Sequence, residues 1–138
     1  MRGELEVTLN NDRSEIPKFS QALTAFGQQY GLAHRLVQAL DLALEEILTN
    51  IMSHGYTDDR EHEIKVRLTA RPEALEAEVE DDGRPFNPLE APKPDTTRSL
   101  HDRSIGGLGI HLARTLVDGL EYQRREGKNV LLLRKSVR

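Results

Sequence analysis

The chain has 138 residues, 37% of them hydrophobic and 30% charged, with 19 Lys/Arg against 23 Asp/Glu and no cysteine. That length holds one core burying about 70% of the unfolded surface and leaves no room for a second, and the composition is that of a soluble globular protein rather than a disordered or membrane-embedded one. The lack of cysteine excludes a disulfide framework, thiolate zinc sites and a cysteine nucleophile.

The first residues, Met1-Arg2-Gly3-Glu4-Leu5-Glu6, carry charges where a signal peptide needs an apolar stretch. No run of about 18 uncharged apolar residues follows, so a cytoplasmic protein with no membrane contact is expected. Alternation through Glu4-Leu5-Glu6-Val7-Thr8-Leu9 predicts a half-buried strand, closed by Asn10-Asn11-Asp12. Ser14 is the expected N-cap of a helix on which Ile16, Phe19, Leu23 and Phe26 recur at helical spacing until Gly31. A longer helix is predicted from about Ala33 to Ser53, with Leu36, Leu40, Leu44, Ile47 and Ile51 as its apolar stripe.

Ile64, Val66, Leu68 and Ala70 alternate with polar residues, Arg71-Pro72-Glu73 turns the chain, and Leu75, Ala77 and Val79 alternate with Glu76, Glu78 and Glu80. This predicts an antiparallel hairpin. Four of the six prolines then fall at 85, 88, 92 and 94, in a stretch to about Ser104 without either period. A structureless segment of about twenty residues in a compact domain points to a functional lid. Ile110, Leu112, Ala113, Leu116 and Val117 predict a third helix, and Leu120–Arg124 and Val130–Leu133 two strands joined through Glu126-Gly127-Lys128-Asn129. The expected architecture is an α/β (α+β) two-layer sandwich: one mixed, mostly antiparallel sheet of about five strands, covered on one face by three helices.

Residues 103–138 hold eight Lys/Arg against three Asp/Glu. Arg114, Arg124, Arg125, Lys128, Arg134, Lys135 and Arg138 are not interleaved with aromatics and the whole chain is acidic, so a solvated basic face is expected rather than a nucleic-acid surface.

Three segments carry chemistry. Glu46 and Asn50, four apart on the long helix, stack on one face beside the apolar stripe, and His54 continues the line; they form either a functional pair or an exposed flank joined by an i,i+4 hydrogen bond. The pleat that turns Leu75, Ala77 and Val79 inward does the same for Asp81, while Asp82 follows the glutamates to solvent. A buried carboxylate needs donors, and either an adenine exocyclic amine or the turn at Gly83 would supply one. Gly106-Gly107-Leu108-Gly109 opens a helix, where closely spaced glycines admit phosphate oxygens or serve as a hinge. It fails the P-loop pattern and does not follow a strand.

Taken in order, Glu46-Ile47-Leu48-Thr49-Asn50-Ile51-Met52-Ser53-His54-Gly55-Tyr56, Asp81-Asp82-Gly83-Arg84-Pro85-Phe86-Asn87-Pro88 and Ile105-Gly106-Gly107-Leu108-Gly109-Ile110 resemble the N, G1 and G2 boxes of the GHKL ATPase superfamily. Within it the chain is most similar to the anti-sigma-factor serine kinases of bacterial partner-switching systems, from about residue 4 to 135. The resemblance implies a single Bergerat-fold ATP-binding and kinase domain over residues 1–138, with a nucleotide lid at about 84–106. It implies ATP and Mg2+ as cofactors: Asn50 as magnesium ligand, Glu46 polarising the attacking hydroxyl, and His54 in a supporting hydrogen bond. Asp81 would accept the adenine amine, Gly83 would let the chain approach the ring, and Phe86, Ile105 and Gly106 would belong to the nucleotide site. Gly107, Leu108 and Gly109 would hold phosphates, and Arg103, or in its place Arg98, would be the basic lid residue near the γ-phosphate. Pro85 replaces the second glycine of the family's Asp-x-Gly-x-Gly segment, fixing φ near -65° and removing a donor.

The function so implied is an ATP- and magnesium-dependent serine/threonine kinase that phosphorylates a STAS-domain anti-anti-sigma partner and alternatively sequesters a sigma factor, with a possible homodimer and no nucleic-acid or membrane partner. Two rivals are a non-catalytic module that uses ATP to hold a partner-competent lid, and the ATP-binding part of a histidine kinase, which would need a helical phospho-acceptor segment ahead of it. A gyrase-like or repair ATPase would need a transducer domain.

Overall fold

The computed structural model describes residues 3–58, 60–90 and 107–137. Five strands, β1 (Gly3–Asn10), β2 (Glu63–Ala70), β3 (Ala74–Asp81), β4 (Gly119–Arg125) and β5 (Lys128–Ser136), and three helices, α1 (Glu15–Gln29), α2 (His34–His54) and α3 (Gly107–Leu116), build a two-layer sandwich. The strand order is β1-β2-β3-β5-β4. Every neighbouring pair is antiparallel, which corrects the mixed sheet expected from sequence. The chain leaves β3, passes through α3 to the far edge strand β4 and returns by a hairpin, so β5 enters between β3 and β4 running opposite to both.

Helix α1 starts differently from expectation. Ser14 sits at the N-cap in helical conformation and makes no side-chain cap. Asp12 does the work instead, its Oδ1 accepting the Ser14 N–H at 2.9 Å and its carbonyl the Glu15 N–H at 2.9 Å. An aspartate two residues upstream captures the donors, as short acidic side chains do in turns. Pro17 falls in the first turn, where its missing N–H removes no intrahelical bond. The helix closes when the N–H groups of Gly31 and Leu32 bond back to Gln28 and Gly27.

The apolar stripes of the helices meet one face of the sheet. Phe19, Leu23, Leu36, Leu40, Leu44 and Leu48 pack over Ile64, Val66, Leu68, Leu75, Ala77, Val79, Leu131 and Leu133 in one contiguous core. The other face carries a lattice of cross-strand ion pairs: Glu78 with Arg67 and Arg125, Glu80 with Lys128, and Glu76 with Arg134. The basic C-terminal quarter thus lies in register beside the acidic strand β3. The basic partners are exposed and the glutamates partly so, so solvent screens these pairs and each contributes at most about 1 kcal/mol.

Candidate functional site

The second half of α2 forms one wall of the site. Its buried stripe (Leu40, Ala43, Leu44, Ile47, Leu48) locks the helix on the sheet, leaving Glu46, Asn50 and His54 half-buried along its flank. Among the described residues no hydrogen bond joins Glu46 to Asn50, so the i,i+4 pair considered from sequence is not formed. His54 Nε2 is buried with no hydrogen-bond partner among the described residues.

Helix α2 is touched at two points by the other segments. Gly107, Leu108 and Gly109 are the first residues of α3, and Gly109 lies directly against the Glu46 carboxylate: a Cβ there would meet Glu46 Oε2, which would have to rotate away to admit it. About one and a half helical turns past Asn50, the Gly55 carbonyl accepts the Arg84 N–H at 2.8 Å. A Cβ at Gly83 would lie 2.5 Å from that carbonyl, so Gly83 is required for the turn after β3 to close on α2. The two contact points are nine residues apart, about 14 Å along a helix.

Asp81 ends β3 facing inward, 5% exposed. Its Oδ1 accepts the Gly83 N–H at 2.9 Å and Asn129 Nδ2 at 3.0 Å, so the turn-capping reading is realised through that oxygen. Burial pushes the carboxyl above its ordinary value, against these two hydrogen bonds, which favour the charged form. Arg124 Nη1 donates to the Gly83 carbonyl at 2.8 Å and fixes the turn from β4. Phe86 contributes its backbone N–H to Asn129 at 3.3 Å, while its side chain is 42% exposed.

A second polar cluster flanks this turn. His62 lies between Asp58, at 2.7 Å from Nε2, and Asp82, at 3.2 Å from Nδ1, and stacks on Tyr56 with ring centroids 4.1 Å apart. The hydrogen bond to Asp58, then that to Asp82, raises the imidazole pKa. Burial raises that of the Tyr56 hydroxyl, with Asp81 and Asp82 adding to it.

Sequence reasoning missed Asn129, Tyr122, Arg124 and the Tyr56–His62 stack. Of the expected site residues, Glu46, Asn50, His54, Asp81, Gly83, Phe86 and Gly107–Gly109 lie on α2, at the end of β3 or at the start of α3. Arg98, Arg103, Ile105, Gly106 and most of the expected lid lie outside the described residues.

The residues fit a nucleotide. A buried carboxylate with one oxygen occupied suits an amine donor at one end of the α2 wall, and a glycine-led helix start lies at the other. For a metal, the described residues contain no group of three His, Cys, Asp or Glu able to hold one. Magnesium commonly keeps waters and takes few protein ligands beside substrate phosphates, so a lone amide such as Asn50 is compatible with it.

This fold and site define a class: a two-layer sandwich whose sheet ends in a buried acid beside a helix flank bearing a carboxylate and an amide. Residues 9–135 match the family described as the histidine kinase-like ATPase domain, and the chain belongs to that family. The chain is 35% identical over 121 residues to the serine/threonine-protein kinase BtrW of Bordetella bronchiseptica, covering 81% of this chain and 85% of that protein. It is 28% identical to the serine-protein kinase RsbW of Listeria monocytogenes, over 80% and 73% of the two chains, and 27% identical to RsbW of Bacillus subtilis, over 80% and 71%. A crystal structure of the RsbU and RsbW domains of Rv1364c from Mycobacterium tuberculosis shares the fold, with a TM-score of 0.66 at 18% identity over 96% of this chain; the chain spans about a third of that one (32%). The family resemblance read from the boxes is borne out. Among the described residues no helix is long and apolar enough to cross a membrane.

Proposed function

We propose that this protein is an ATP- and magnesium-dependent serine/threonine kinase whose substrate is a STAS-domain partner, and that it alternatively holds a sigma factor. The observation that carries the reading is that one helix wall is shared by both ends of the site: Glu46 against Gly109, and Gly55 against Gly83 and Arg84. The names of its kinase relatives support it.

In this reading Asp81 accepts the exocyclic amine of adenine through the oxygen not taken by Gly83 and Asn129. Backbone N–H groups of the first turn of α3 hold phosphate oxygens at the positive helix end. Asn50 supplies an oxygen ligand to magnesium, which when bound neutralises charge on the phosphates. Glu46 orients the attacking hydroxyl and accepts its proton. Phosphoryl transfer depends mainly on positioning and electrostatics, so this small set of groups suffices.

The test is phosphate transfer from labelled ATP to purified STAS-domain proteins of the same organism. Glu46→Gln should keep ATP affinity within about twofold while transfer falls on the order of 10²-fold or more. No transfer by the parent protein overturns the kinase reading, and transfer by Glu46→Gln equal to the parent's overturns the role given to Glu46.

A further inference from the structure

Asn129 is 6% exposed and uses its entire hydrogen-bonding capacity. Nδ2 donates to Asp81 Oδ1 at 3.0 Å and to the Arg84 carbonyl at 2.9 Å. Oδ1 accepts the Tyr122 hydroxyl at 2.6 Å and the Phe86 N–H at 3.3 Å. Two of these partners are backbone groups of opposite kind: a carbonyl can only accept and an N–H can only donate. They fix which way round the amide lies, independently of any titratable group. The donor end is therefore held on Asp81, whichever ligand arrives.

We propose that Asn129 is a positioning residue that reserves one oxygen of Asp81 as an acceptor and so makes the site select 6-amino over 6-oxo purines. The proposal rests on the reading of Asp81 as the base acceptor. A buried carboxyl has two ways to meet a purine. Ionised, it accepts from an amine; protonated, it donates to a carbonyl oxygen. Burial alone favours the protonated form, in which the acid would tolerate an oxo group. The Asn129 donor, backed by the Gly83 N–H on the same oxygen, favours the ionised form and leaves the second oxygen for a donor from the ligand. Arg124 faces the same turn from β4, the buried Tyr56 hydroxyl faces Asp81 from the segment after α2, and Asp82 adjoins it from the chain; none of the three hydrogen-bonds the Asp81 carboxylate among the described residues. Asn129 is in register with Asp81 across the β3–β5 ladder, so its distance is set by the sheet and not by a loop.

The experiment is calorimetric binding of ATP and of inosine triphosphate, its 6-oxo analogue, to the full chain between pH 5 and 8. Parent protein should prefer ATP by about tenfold or more over the whole range. Asn129→Ala and the isosteric Asn129→Asp, each checked for folding by thermal melting, should lose most of that preference. The acid limb of their ATP affinity should move to higher pH. Equal affinity of the parent for both nucleotides overturns the proposal without any variant. An equal loss for both nucleotides, with no change in the pH profile, would show a merely structural role and also overturn it. Asp81→Asn is the control: if it binds ATP like the parent, the underlying reading of Asp81 fails. If it loses ATP while a folded Asn129 variant keeps the parent's ratio and pH profile, only the present proposal fails.

Discussion

The inward face of the sheet has a middle and an end, built on one register and buried to the same degree. In the middle, Ala77 faces Leu133 and Val79 faces Leu131; one step on, Asp81 faces Asn129. All six are 0% to 6% exposed. The backbone continues unchanged and only the side-chain chemistry switches. Burying the apolar pairs is favourable by about 25 cal/mol per Å². Burying the polar pair is tolerable only because Gly83, Arg84, Phe86 and Tyr122 supply its partners. The candidate site is thus a continuation of the core, which gives it the positional precision of a ladder rather than that of a loop.

The largest effect should come from the middle. Leu133 is fully buried in the core, and Leu133→Ala should cost about 2 to 5 kcal/mol in denaturant unfolding. Nucleotide affinity of the folded fraction should change less than about twofold, since no polar partner is lost. A large affinity loss without a stability loss would erase the distinction between the two regions.

Asp81→Asn is the converse. The substitution keeps the shape and one acceptor oxygen but removes a buried charge. Burial raises the folded-state pKa of this carboxyl above its ordinary value. The native state then binds the proton more tightly than the unfolded chain does, so this group costs stability as pH rises from the ordinary aspartate range through the raised value. At neutral pH the melting temperature of Asp81→Asn should equal or exceed the parent's, and its advantage should shrink toward pH 4. ATP affinity should fall by roughly 1.5 to 3 kcal/mol, as for a lost hydrogen bond to a charged group. A melting-temperature drop as large as that of Leu133→Ala would mean that the polar end stabilises the fold as the apolar middle does.

How much of this was legible follows the same division. The inward direction of Asp81 was readable because Leu75, Ala77 and Val79 set a period of two that ends on it. Asn129 obeys the same period counted back from Leu133 and Leu131, but it lies next to a turn, and Glu126-Gly127-Lys128-Asn129 looks like turn throughout. Only Glu126 and Gly127 take positive φ, 52° and 77°, as a two-residue hairpin turn requires; Lys128 and Asn129 already belong to β5. The place of β5 between β3 and β4 was not legible, because strand order is decided by how α3 packs rather than by any local pattern. Likewise Ser14 and Asp12 are both competent caps by residue type, and only the turn geometry selects Asp12. The flank of α2 was legible from helical spacing, whereas its contacts with Gly109 and Gly83 needed the tertiary structure.

The smallest expected effect lies just off the ladder, where His62 joins the loop after α2 to Asp82, in the turn that follows β3. Here the polar groups are not enclosed by sheet: the His62 side chain is 15% exposed, and its partners Asp58 and Asp82 are 47% and 48% exposed. Solvent weakens each pair, so this cluster should tune stability rather than determine it. His62→Phe keeps a ring to stack on Tyr56 and removes the charge. Because the folded-state pKa of His62 lies above its ordinary value of about 6.5, the ion-pair contribution is fully present below about pH 6.5 and is lost as pH rises through the raised value. The hydrogen bond from His62 also lowers the Asp58 pKa, so the pair persists in acid to below the ordinary aspartate range. The parent should therefore melt above His62→Phe near pH 5 to 6, with the difference narrowing steadily toward pH 9. A difference that stays constant across that range would assign the contact to ring stacking alone. A difference matching that of Leu133→Ala would show that the loop and turn are held together as firmly as the core, and the contrast between enclosed and exposed polar groups would not hold.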